Sequence, residues 1–123
     1  MDWKTILIII IAIVGVILWK RMSLISVDVA RKYLREGAVI VDVRSPEEFR
    51  GDHLRDAINI PLGNLNRLPE VVRDKGSILL LHCLSGARSG MAEGKIKAMG
   101  YQHVFNMGSL DRAKMILSGV GSN

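Results

Sequence analysis

Two short runs in this chain, Ala38–Val43 (AVIVDV) and Ser77–His82 (SILLLH), are apolar at successive positions instead of alternating with polar ones. A strand with one wet face alternates; a strand that does not must be covered on both faces, as in a parallel sheet between two layers of helix. The segments between the runs have the matching character. Val27–Arg35 places Val27, Ala30 and Leu34 on one side of a helix, and Gly37 stops it. Ser45-Pro46-Glu47-Glu48 is a helix start with a capping box: Ser45 as N-cap, Pro46 in the first turn, Glu48 closing back. Further elements are expected as strands at Ala57–Ile60 and His103–Asn106, and as helices at Leu65–Val72 (interrupted by Pro69 or starting there), Ser89–Met99 and Ser109–Leu117. Strands alternating with helices predict a small α/β domain with a parallel sheet flanked by helices.

The first residues do not belong to that pattern. Thr5–Trp19 carries no charge, is bracketed by Trp3 and Trp19, and is followed by Lys20 and Arg21. Fifteen residues fall short of the roughly 20 that span a bilayer, but tryptophans at both ends and outward-reaching lysines extend the run to that length. No small-x-small cleavage site follows. The reading is one uncleaved transmembrane helix over 1–21, with a cleaved signal core or a buried helix as alternatives. A joint at 22–26 then leads into a domain over 27–123. Lys20, Arg21, Arg31, Lys32 and Arg35 outweigh Lys4 and the α-amine on the other side, which places the domain in the cytoplasm by the positive-inside bias.

Charge narrows the partners. The net charge is +5 and falls to +3 without the N-terminal segment; there is no Lys/Arg run, and there are only six aromatic residues. Nucleic-acid binding is not indicated. One cysteine allows no internal disulfide and no cysteine-built zinc site, and three scattered histidines offer no metal cluster, so no metal and no cofactor is expected.

The cysteine sits where chemistry is expected. In open parallel sheets ligands bind beyond the carboxyl ends of the strands, and Cys83-Leu84-Ser85-Gly86-Ala87-Arg88-Ser89 joins the SILLLH strand to a helix. Free backbone N–H groups at a helix start favour a thiolate. Gly86 lets the amides of Ser85, Gly86 and Ala87 turn inward as a nest, Arg88 offers a cation for an anionic substrate, and Ser89 can cap the helix or donate to the sulfur. His82 precedes the cysteine, but neighbours on a strand face opposite ways, so it is a poor general base. Asp42 and Arg44, at the other strand end, can pair with one another or brace the loop. His53 is expected to hold a turn.

Four segments in order carry a family resemblance: Asp42–Phe49, His53-Leu54 with Ala57–Pro61, Cys83–Arg88, and Asn106-Met107-Gly108. From about Ile25 to about Leu117 the chain resembles the rhodanese domain. The resemblance implies a sulfurtransferase that takes sulfur from an anionic donor such as thiosulfate onto Cys83 as a persulfide and passes it to cyanide or a thiol. It implies substrate binding by Ser85, Gly86, Ala87, Arg88 and Ser89, with Asp42, Arg44 and His53 as framework. The loop is Cys-x4-Arg; the longer Cys-x5-Arg goes with phosphatases and arsenate reductases. A non-catalytic persulfide carrier docking a membrane protein partner is the alternative. The chain departs from the family pattern at Asp52, at Arg55-Asp56 in place of Pro-Gly, at Ser109 in place of a second glycine, and at Ala113 near the usual tryptophan.

Overall fold

The structure is a computed structural model that describes residues 1–22 and 24–121, without the side chains of 20–22. Its elements are α1 (Trp3–Met22), α2 (Val27–Arg35), β1 (Val39–Asp42), α3 (Pro46–Gly51), β2 (Ile58–Asn59), a 3-10 turn (Leu62–Arg67), α4 (Leu68–Val71), β3 (Ile78–His82), α5 (Ala87–Ala98), β4 (His103–Gly108) and α6 (Leu110–Ser118). The four strands form one sheet in the order β2-β1-β3-β4, every pair parallel.

The sheet is covered on both faces, as its unalternating strands require. Val41, Val43, Leu79, Leu81 and Cys83 pack with Leu65, Leu68, Ala92 and Ile96 on one side. Ile40, Leu80 and Met107 pack with Ala30, Leu54, Ala113 and Ile116 on the other. Leu79, Leu80 and Leu81 are all fully buried. The expected helix over 65–72 is divided. Asn64 leaves helical geometry (φ −123°, ψ 29°) within the 3-10 turn, and α4 restarts with Pro69 in its first turn, where a missing N–H costs nothing.

The joint expected at 22–26 is a correction. Leu24 bridges Asn106 in parallel, the Ile25 N–H donates to the Asn106 carbonyl at 2.9 Å, and Ile25 is buried. Strand β4 has an open edge on that side, and two apolar residues satisfy its carbonyl while covering the core. The folded domain therefore starts at Leu24, and Ser26 is the N-cap of α2, accepting from the Val29 N–H.

Helix α1 exposes Ile6–Ile11, Ile13, Val14 and Val16–Trp19. The uncharged run rises about 22 Å at 1.5 Å per residue, and among the described residues no helix is long and apolar enough to cross a membrane. The expected transmembrane span is thus not carried by the structure, and the snorkelling ends of Lys20 and Arg21 lie outside the described residues.

Candidate active site

Strand β3 ends at His82, and the chain turns at once into a loop that holds the Cys83 sulfur from several sides. The Gly86 N–H donates to Sγ at 3.0 Å, the Ser89 N–H at 3.4 Å, and the Ser89 hydroxyl lies 3.5 Å away. Gly86 permits this with φ +99°, in the left-handed region, as the N-cap of α5. The N-cap amide of Gly86 and the Ser89 amide of α5 therefore converge on sulfur, in the partly positive field of a helix start. Burial pushes the Cys83 thiol up. The hydrogen bonds from Ser89, Gly86 and Ser85 pull it down and prevail, so the thiol is more acidic than an ordinary cysteine.

The loop is fastened to the end of β4. The Cys83 N–H donates to the Gly108 carbonyl, the Leu110 N–H to the Leu84 carbonyl, and Ser85 bridges Ser109. The Asn106 amide reaches the Gly86 carbonyl at 3.4 Å while its oxygen accepts from the Gly108 N–H at 2.8 Å. A Cβ on Gly86 would stand 3.4 Å from the Gly108 Cα. Asn106-Met107-Gly108 is thus the seat of the cysteine loop. Ser109, where the family pattern has glycine, caps α6 by accepting from the Arg112 N–H. Ala113 is fully buried where α6 meets the sheet.

Arg88 is not free. Its guanidinium is bound in two places by Glu48, at 2.7 and 3.0 Å. The same carboxylate closes the capping box on the Ser45 N–H and hydroxyl, both at 3.1 Å. Arg88, with the Ser45 hydrogen bonds, holds the Glu48 carboxyl down at about 2. Arg88, expected as a cation that can hold an anionic substrate, stands at the loop as its spacing from the cysteine implied, and it is paired there with a carboxylate from 40 residues earlier. Ser89 likewise does not cap α5; its hydroxyl lies between Sγ and the Gly86 carbonyl.

Asp42 and Arg44 pair with one another, at 2.8 Å and almost wholly out of solvent. Arg44 also donates to the Asp52 carbonyl at 2.6 Å, and the Asn59 amide clasps the carbonyls of Asp42 and Arg44. This is framework, and it gives Asp52 and Asn59 a role the sequence did not single out. Asp56 accounts for another departure: it adopts φ +64°, the conformation a glycine would take there. His53 donates from Nδ1 to the Phe49 carbonyl at 2.8 Å and stacks on Phe49, holding the turn after α3.

His82 carries more than its place on the strand suggested. It is fully buried; Nδ1 lies 3.4 Å from the Cys83 carbonyl and Nε2 lies 3.6 Å from the Asp42 carboxylate without a hydrogen-bond partner. Among the described residues no His/Cys/Asp/Glu group is arranged to hold a metal ion.

A parallel sheet with a cysteine cradled by amides at a strand end and made more acidic by them is an arrangement suited to thiol chemistry. The comparison with known families is specific: residues 26–112 match the rhodanese-like domain, and the chain belongs to that family. It is similar to the thiosulfate sulfurtransferase PspE of Escherichia coli (41% identity over 71 residues, 57% of this chain and 68% of that protein). It is also similar to thiosulfate sulfurtransferase 18 of Arabidopsis thaliana (34% over 105 residues, 72% of this chain and 76% of that protein). The chain spans 48% and 55% of two other curated relatives. Among solved structures, a rhodanese with anions from E. coli superposes with a TM-score of 0.60 at 38% identity, over 62% of this chain and 91% of that one. The chain is a rhodanese-like protein whose named relatives include sulfurtransferases.

Proposed function

We propose that the chain moves sulfane sulfur from thiosulfate, or a donor of that kind, to cyanide or a thiol through a persulfide on Cys83. The observation that carries this reading is the set of donors aimed at one sulfur: two N–H groups and a hydroxyl within 3.5 Å of Sγ. The Cys83 thiolate attacks the outer sulfur of thiosulfate; the S–S bond to the sulfonate breaks and sulfite leaves with its electron pair. The same amides then face the anionic persulfide. Cyanide attacks the outer sulfur, thiocyanate leaves, and the thiolate is restored. Each half is a two-electron displacement at sulfur, so the scheme is ping-pong and needs no cofactor. The test is thiocyanate formation from thiosulfate and cyanide by the full chain in detergent, beside Cys83→Ser. Cysteine-dependent turnover supports the reading; a folded, reduced protein without turnover sinks it.

Helix α1 favours a membrane location for this chemistry. Its uncharged run over Thr5–Trp19 rises about 22 Å and nears a bilayer core of about 30 Å only with the flanking residues added. It is apolar on every side, with Trp3 and Trp19 exposed near its ends. The proposed arrangement is a single anchor with the domain on the cytoplasmic side. Carbonate-resistant sedimentation with membranes, and protease accessibility in inverted vesicles, test the two halves of that statement. An anchored domain that forms the persulfide but turns over no small acceptor would be a carrier handing sulfur to a membrane protein.

A further inference from the structure

The Cys83 loop has one arginine, and the structure shows it already answered by a carboxylate. Arg88 and Glu48 keep 34% and 31% of their side-chain surface, so the pair sits at the edge of solvent, where an incoming anion can compete. The carboxylate is held in place independently, by the Ser45 N–H and hydroxyl. With its carboxyl at about 2, it stays ionised at every working pH. Nearby, Arg44 is engaged by Asp42 and the Asp52 carbonyl. Among the described residues no second Lys or Arg hydrogen-bonds to the loop. A dianionic donor therefore approaches a thiolate across a loop whose cation is neutralised.

We infer that Glu48 is a specificity-determining residue: its carboxylate holds the guanidinium edge that a donor's sulfonate would use, weakening dianionic donors relative to uncharged sulfane donors. This rests on the reading that Cys83 accepts sulfur. For an uncharged dialkyl trisulfide the step is balanced as follows. The Cys83 thiolate attacks the central, sulfane sulfur and one alkyl thiolate leaves; a thiol then takes the remaining alkylthio group as a disulfide, so that the persulfide stays on Cys83. Such a donor gains nothing from Arg88, so its handling is indifferent to Glu48.

Glu48→Gln separates charge from structure, because glutamine at the third helical position still closes a capping box. The first measurement is calorimetric binding of thiosulfate to the full chain carrying Cys83→Ser, with and without Glu48→Gln. The second is KM and kcat of the Cys83 protein for thiosulfate and for the trisulfide. The expected result is about threefold to fivefold tighter thiosulfate binding and an equal fall in its KM, within the range an exposed ion pair supplies. The trisulfide KM stays put, and added salt shrinks the difference. Unchanged thiosulfate binding, or an equal change for both donors, overturns the inference. Tighter binding in the Cys83→Ser background without persulfide on Cys83 in the parent would uphold the role of Glu48 in anion selection and overturn the transfer reading instead.

Discussion

Two neighbouring strand ends carry this molecule's polar chemistry, and they use it in opposite ways. At the end of β1, Asp42 and Arg44 neutralise one another out of solvent, with the Asp52 carbonyl and the Asn59 amide completing the network. At the end of β3, Cys83 is met by amides and a hydroxyl, and the nearby charged pair, Arg88–Glu48, stays at the solvent edge. The first arrangement fixes backbone. The second leaves one thiol supported and one ion pair partly in solvent. A closed network resists change, whereas a loop held by hydrogen bonds and a half-exposed pair can admit a substrate.

The sharpest way to break the contrast is Cys83→Ser. Transfer should fall by at least about 10³-fold, because a serine hydroxyl is not ionised in this cradle and makes no persulfide. The melting temperature should stay close to the parent's, since oxygen accepts the same donors. A large loss of stability would mean the loop is framework, like β1.

Next is Asp42→Asn, expected to cost about 3–5 kcal/mol by leaving the Arg44 charge buried without its counter-ion. Glu48→Gln should cost less than about 1 kcal/mol, because that pair is partly in water. Urea midpoints of the two variants measure the difference directly. Equal losses would erase the distinction between the two pairs.

Gly86→Ala tests the cradle itself. The residue stands at φ +99° with the Gly108 backbone 3.4 Å from the new Cβ. The expected cost is about 1–2 kcal/mol. As the Gly86 N–H is drawn off sulfur, the thiol should move back toward its ordinary acidity. The pH dependence of iodoacetamide labelling reads that shift; an unmoved profile would show that the Ser89 donors alone set it.

The same contrast explains what was legible in the sequence. The strand ends were legible because unalternating apolar runs stop abruptly at Asp42 and His82, and the capping box was legible because its partners lie three residues apart. The cysteine loop declared itself by composition. What the sequence did not disclose was long-range pairing. Glu48 already had a local partner in Ser45, so nothing marked it as the mate of Arg88, 40 residues on. Leu24 and Ile25 looked like a joint because an open strand edge is visible only once β4 is placed. Asp56 looked like a departure until its positive φ showed it filling glycine's place.

The smallest expected effect concerns His82, which lies under both strand ends. Its two ring nitrogens face acceptors, the Cys83 carbonyl and the Asp42 carboxylate, so either neutral tautomer leaves one of them poorly matched. Burial nonetheless pushes its pKa below the ordinary 6.5; the Asp42 charge and the Cys83 carbonyl raise it only in part, and Arg44 adds to the depression. Below pH 6.5 the unfolded chain takes up a proton that the folded chain refuses. Stability from this group is therefore present above pH 6.5 and is lost as pH falls from there toward the lower folded value. The slope cannot exceed about 1.4 kcal/mol per pH unit for one proton. The Glu48 contribution lies lower, between its ordinary 4.5 and about 2, so pH 6.5 to 5 isolates the histidine. Unfolding free energies in that window should decline in the parent and decline less in His82→Phe. If the two slopes coincide, His82 is already protonated in the fold, and its imidazolium joins Asp42 and Arg44 as a third member of the closed network.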